Sequence, residues 1–249
     1  MYNKGISKRE KINKEKKMKK SVIVALMLGL LSFPFNVKAE GIAAGQHKMF
    51  LSVGGVTSLE RAGFSQKEIG FVDNKEMKWG TYGATAGLSY AFFPSEYFGI
   101  GLEANDAYFD GKKYTTNAAG HKYETKTGMN VLNALLSMRF NLNPKHKYRV
   151  YIPFGGGYAW STNLLENKDT FGGNTTTKKY RNTAGSFGYF VGLGLEMDLG
   201  ERWSLGLEGR YNGFTYDTNK IAEKDDKDSL VGDKDYTYVS ASLKLGYRF

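Results

Sequence analysis

Residues 187–212 read FGYFVGLGLEMDLGERWSLGLEGRYN. Phe187, Tyr189, Val191, Leu193, Leu195 and Met197 share one face of an extended chain, and Gly188, Gly192, Gly194 and Glu196 share the other. After a break at Gly200–Arg202 the alternation resumes. Trp203, Leu205, Leu207 and Tyr211 then stand against Ser204, Gly206, Glu208, Arg210 and Asn212. A period of two means strands with one apolar and one polar face, not the doubly apolar strands of a parallel sheet. A break this short between two such runs predicts a β-hairpin.

The same pattern extends in both directions. Towards the C-terminus, Val239, Ala241, Leu243, Leu245, Tyr247 and Phe249 alternate with Ser240, Ser242, Lys244, Gly246 and Arg248. Towards the N-terminus, Val150, Ile152, Phe154, Tyr158 and Trp160 oppose Gly155, Gly157 and Ser161. Leu132, Ala134, Leu136, Met138 and Phe140 oppose Asn133, Ser137 and Arg139. Phe98, Ile100, Leu102 and Ala104 oppose Gly99, Gly101, Glu103 and Asn105. Tyr82, Ala84, Ala86, Leu88, Tyr90 and Phe92 oppose Gly83, Thr85, Gly87 and Ser89. A weaker run sets Met49, Leu51 and Val53 against Ser52 and Gly54. That makes eight predicted strands, and no helical stripe is sustained after residue 45.

Three features separate a membrane barrel from a soluble one. Connections alternate between short (Phe93–Tyr97, Asn141–Lys147, Gly200–Arg202) and long, with Thr57–Lys78 the first long one. Short turns at one rim and long loops at the other are the habit of outer-membrane barrels. Aromatics gather at both ends of the apolar face, where rings suit a lipid–water interface. Phe92, Phe98, Phe140 and Trp203 mark one end, and Tyr82, Tyr108, Tyr158, Trp160 and Tyr211 the other. Tyr82 to Phe92 is ten residues, which at about 40° tilt rise about 25 Å, the height of a lipid-facing band. Finally, the apolar face carries mostly large side chains, too bulky for the interior of eight strands. The Gly, Ser and charged face fits inside. The fold expected is therefore all-β, an eight-stranded antiparallel up-and-down transmembrane β-barrel over residues 40–249. A closed barrel satisfies every backbone group in lipid.

Composition agrees. The chain has 249 residues, no cysteine, four prolines and 31 glycines. Without cysteine there is no disulfide framework, zinc–cysteine site or thiol nucleophile. The net charge of +10 is mostly local: residues 1–39 hold 10 Lys+Arg and 2 Asp+Glu, leaving 25 and 23, or +2, for the rest. Nucleic acid needs a basic patch on the folded part, so no nucleic-acid partner is expected. Ser21–Phe35 is the one long apolar run, 15 residues, short of the roughly 20 of a membrane helix. Lys16, Lys17, Lys19 and Lys20 precede it and Val37-Lys38-Ala39 follows. This reads as a signal peptide over 1–39, cut before Glu40, with Met18 a second candidate start.

Inward charges are Glu103, Glu196, Asp198 and Glu208 against Arg139, Arg210, Lys244 and Arg248, four of each sign. Buried charges need partners, so these predict a salt-bridged plug; a narrow or gated polar path is the alternative. His47, His121 and His146 are scattered, offering neither metal-ligand spacing nor a nucleophilic set. His121 with Asp106 or Asp110 would be the one pair resembling the omptin-like proteases, which have ten strands. No catalytic, cofactor or metal residues are assigned. The acidic segment Thr215–Asp235 fits no EF-hand spacing and reads as a solvated loop. Lys112, Lys113, Lys122, Lys126, Lys178, Lys179 and Arg181 make the second and third long connections mildly basic, suited to lipopolysaccharide phosphates or a host surface. Pro153 removes a ladder donor inside a strand and predicts a bulge or kink.

These segments, closing on Leu243, Leu245, Tyr247 and Phe249, resemble the small eight-stranded outer-membrane β-barrels, the family of the OmpA transmembrane domain, OmpX and the opacity-type proteins. The resemblance implies a bacterial outer-membrane location with both termini periplasmic, and outer-membrane lipid around the apolar face. It makes the terminal segment the signal read by the barrel-assembly machinery. Such proteins are structural barrels, adhesins, narrow pores or, less often, lipid-modifying enzymes, so fold leaves function open. A structural and surface-interaction role through four long extracellular loops, meeting an extracellular ligand or host surface, is expected; a narrow or gated porin-like channel is the alternative.

Overall fold

The computed structural model describes residues 41–59, 63–65, 76–78, 80–217 and 233–249. These fall within one compact unit, Lys38–Phe249. The leader, Met18, Glu40 and the middle of the acidic segment (218–232) lie outside the described residues. The strands are β1 (Gln46–Ser58), β2 (Gly63–Ser65), β3 (Glu76–Lys78), β4 (Tyr82–Phe93), β5 (Phe98–Ala118), β6 (His121–Asn141), β7 (Tyr148–Phe171), β8 (Asn174–Asp198), β9 (Trp203–Asp217) and β10 (Asp233–Arg248).

Eight of them close a barrel in the order β1-β10-β9-β8-β7-β6-β5-β4. β1 completes the ring, pairing antiparallel with β10 (Leu51 opposite Leu245) and with β4 (Leu51 opposite Leu88). Closure leaves no edge within the band of aligned apolar residues. Leu51, Leu102, Leu193 and Leu207 all point outward and are more than half exposed. Lys48, Glu103, Glu196, Glu208 and Lys244 point inward and are buried. Such a surface excludes water as a solvent for that band.

The long connections differ from the expectation. Two of them are not loops: β5–β6 and β7–β8 continue as hairpins, paired up to Ala118–His121 and Phe171–Asn174. Their tips are two-residue turns with both central φ positive, Ala119 (50°) with Gly120 (80°), and Gly172 (57°) with Gly173 (86°). That is the turn whose twist matches a hairpin. β6 and β7 also pair to their tips, His121 opposite Phe171. The result is one four-stranded sheet rising from the barrel wall. Within the first long connection, β2 and β3 pair with each other.

Pro153 does not make a bulge. β7 keeps one register with β8, from Tyr151 opposite Gly194 to Phe154 opposite Val191, while the pairings of Ile152 and Pro153 are skipped. On the other side Pro153 stays opposite Arg139. The ladder tolerates a missing donor on one side because its neighbours hold the strand in place. The register shift in the barrel lies elsewhere, between Asp110 and Lys113 of β5 against β6.

Candidate functional site

The interior is filled by two layers. The layer nearer the short turns is charged. Glu196 on β8 is its hub, accepting from Lys48 Nζ of β1 at 2.7 Å, from Arg149 Nη2 of β7 at 2.8 Å and from Arg139 Nη1 of β6. Asp198, two residues along, accepts from both terminal nitrogens of Arg149 at 2.5 Å and pairs with Arg248 at 3.6 Å. Arg139 also donates from Nε to Asn141 Oδ1 at 2.6 Å, and its guanidinium lies 3.6 Å from the Tyr151 ring centre.

Next to it, Arg210 of β9 clamps Glu103 of β5 through Nη1 and Nη2, the latter at 2.8 Å, and donates from Nε to Glu208 at 2.5 Å. Lys244 of β10 reaches Glu208 Oε2 at 3.1 Å. The Tyr151 hydroxyl donates to Glu208 at 2.9 Å, so one ring touches both charge clusters. Asn105 donates to Glu103 and Asn133 to Asn105, both at 2.8 Å. Between these groups the gap is about 20 Å³, room for about one water molecule.

The six lumen residues expected from sequence, Glu103, Arg139, Glu196, Glu208, Arg210 and Lys244, are thus brought together, with Asp198 and Arg248. The expected balance of four and four is corrected. Lys48 and Arg149 also face inward, so six cations meet four carboxylates among the described residues. Strand parity was the available signal: Lys48 precedes outward Met49, and Arg149 precedes outward Val150.

The layer nearer the hairpins corrects the expectation of a wholly polar interior. Val56, Ala107, Phe109, Met129, Val131, Ala159, Leu165, Phe214, Tyr236 and Tyr238 form one buried cluster. Phe109 meets the Tyr236 and Tyr238 rings edge-on at 5.6 and 5.2 Å. These residues have the inward parity, but their apolar character hid them among loop residues in the sequence. Gly83 stands opposite Phe109 and Gly188 opposite Phe214, which leaves those two rings room inside eight strands.

Of the outward aromatics, Tyr82, Tyr108, Phe140, Tyr158, Trp160, Trp203 and Tyr211 are exposed. Phe92 and Phe98 are half-buried, Phe92 against His47 at 4.9 Å. At the chain's end, Tyr247 contacts Trp203 at 4.9 Å and Phe249 at 5.7 Å. Leu245 and Phe249 point outward and are exposed, and Leu243 is half-buried. His121 takes neither Asp106 nor Asp110. It sits at a hairpin tip, bonded through Nδ1 to Asp169 at 2.9 Å and stacked on Phe171 at 4.2 Å.

Residues 24–249 match the family model described as "Outer membrane protein beta-barrel domain". No curated protein matches the sequence. Among solved structures, the chain is similar to the outer membrane protein OprG from Pseudomonas aeruginosa (13% identity, 85% of this chain and 99% of that one, TM-score 0.47). It is similar to the attachment invasion locus protein Ail of Yersinia pestis (12%, 83% and 99%, TM-score 0.37). It is also similar to the outer membrane protease OmpT from Escherichia coli (11%, 85% and 100%, TM-score 0.43).

Proposed function

The chain belongs to the outer membrane protein β-barrel domain family, and from that premise we propose that it is a plugged barrel of the bacterial outer membrane that acts through its projecting hairpins. The observation carrying this reading is the filled lumen: buried ion pairs at one level and packed rings at the next. A conducting path would have to break both. The four-stranded sheet of β5–β8 then offers the surface for an extracellular ligand or a host surface. In this reading the short turns and both termini face the periplasm, and residues 1–39 are the leader removed on export. The aromatics at Tyr82, Tyr108, Trp160 and Tyr211 sit at one lipid interface and Phe140 and Trp203 at the other. Leu243, Leu245, Tyr247 and Phe249 serve the barrel-assembly machinery.

Planar-bilayer recording of the refolded protein tests the plug, and the expected result is no stable current. Stable currents would overturn the reading and move the function to transport. Orientation is tested on intact cells. The chain has no cysteine, so Gly172→Cys at a hairpin tip gives a single thiol. It should react with a membrane-impermeant maleimide, while His146→Cys in a short turn should react only after permeabilisation. The reverse pattern would invert the topology.

A further inference from the structure

The outer wall of the β5–β8 sheet carries a groove of about 400 Å³ that the lumen plug does not involve. Its floor is Tyr108 and Leu164, with Gly128 between them leaving the wall bare of side chain. Lys126, Lys179 and Arg181 stand over it. All of these project outward, on the same face as Trp160 and Tyr158 of the aromatic band. The register sets the heights: Trp160 opposite Leu132, Leu164 opposite Gly128 and Arg181, and Lys126 opposite Glu166. The groove therefore starts within the aromatic band, at Tyr108, and Leu164, Gly128 and Arg181 lie about four residues beyond Trp160, or about 10 Å along the wall at the usual tilt. Interfacial rings mark the level of lipid headgroups, so a groove that runs outward from Tyr108 lies beside them.

Charge fits the same occupant. Glu166 is held by Lys168 at 3.1 Å and Lys179 at 3.6 Å. Lys126 and Arg181 form no ion pair among the described residues. Asp110 stands opposite Gly128 and Glu124 opposite Lys168, the latter carboxylate held by Lys113 and Lys122, so six cations against three carboxylates leave the patch positive. Cations beside an apolar floor suit an anionic amphiphile, with phosphate on the guanidinium and ammonium and hydrocarbon against Leu164 and the rings.

We propose that this groove binds the phosphate-bearing headgroup of an outer-leaflet glycolipid. The proposal rests on the reading that the hairpins stand on the outer side. The test uses the full barrel refolded into phosphatidylcholine nanodiscs doped with bisphosphorylated lipid A or with its dephosphorylated form. Retained glycolipid is measured by native mass spectrometry. Phosphorylated lipid should be retained in preference, and Lys126→Gln/Arg181→Gln should weaken that retention about 30-fold, the change for removing two juxtamembrane cations. Lys145→Gln at the opposite rim should leave it unchanged. Both charge changes are on exposed side chains, and heat-modifiable gel mobility checks that the variants fold. Equal retention of the two lipids, or a double variant that retains lipid A as the parent does, would overturn the proposal. So would full displacement by millimolar inorganic phosphate, which would make the groove a simple anion site. Binding in nanodiscs is independent of orientation in the cell, so failure here is distinct from a reversed maleimide pattern.

Discussion

Arg210→Leu is the sharpest perturbation of the lumen. Arg210 gives Glu103 two bonds and Glu208 one, and its guanidinium also lies 4.1 Å from the Phe190 ring centre. After the substitution Glu208 keeps Lys244 and Tyr151, but Glu103 keeps only the Asn105 amide as a hydrogen-bond donor. A buried carboxylate is then left without its cation. Removing one partner of a buried pair costs about 3–5 kcal/mol, most of it from the charge left behind. The second substitution, Glu103→Gln, removes that charge. The double variant should therefore cost only about 1–2 kcal/mol, the scale of lost neutral hydrogen bonds. Urea unfolding in lipid vesicles, followed by the gel shift between folded and heated bands, measures both. The reasoning fails if Arg210→Leu costs under about 1 kcal/mol, or if Glu103→Gln gives no rescue, because buried-pair energetics require both effects. A stable current from Arg210→Leu at unchanged stability would instead make this clamp a gate.

Glu196→Gln should be more damaging than Arg210→Leu, because Lys48, Arg139 and Arg149 all bond that carboxylate; the same urea assay ranks the two. Gly194→Ala would place a Cβ 2.1 Å from Tyr151 Cζ and push the ring off Glu208, costing about 1–3 kcal/mol as overpacking does, with Gly209→Ala, where an added Cβ meets only Ser240 O at 4.0 Å, as the control. In the β5–β6 hairpin, bonds from Lys113 and Lys122 at 2.8 and 2.9 Å hold the Glu124 carboxyl down from 4.5 to about 2. A depressed carboxylate keeps its contribution above its ordinary value and loses it as pH falls through the folded one. A carbon-NMR titration should thus find Glu124 ionised until about pH 2, and Lys113→Gln/Lys122→Gln should return it towards 4.5.

Strand parity carried a long way. From Leu193-Gly194-Leu195-Glu196 or Leu243-Lys244-Leu245 a reader can tell which side chains face out, because the period of two is a property of the local backbone. Eight such runs with short breaks on alternate sides yield the closed barrel and identify Glu103, Glu208, Arg210 and Lys244 as interior. Where alternation was weak or changed character, it missed. Lys48 and Arg149 lie at strand starts, outside the runs that betrayed the pattern. Phe109, Phe214, Tyr236 and Tyr238 have the interior parity, yet their rings read as anything but a barrel interior. Residues 111–131 and 161–184 lack the apolar stripe altogether, so their pairing into tall hairpins was hidden.

By itself, then, the sequence determined the strand number, the inward and outward faces and the alternation of short and long connections, all of which rest on contacts within a few residues. Only the tertiary structure decided which inward side chains share a height. That depends on how far each strand is offset from its neighbour around the closed ring, and a one-residue change in the offset would exchange every inward residue for an outward one. The offset seats Glu196 among Lys48, Arg139 and Arg149, residues 148, 57 and 47 positions away. It also stacks the rings of β5, β9 and β10 above them and lifts Lys126 and Arg181 over the bare wall at Gly128. No local pattern encodes those meetings, because they are made by the closure of the barrel.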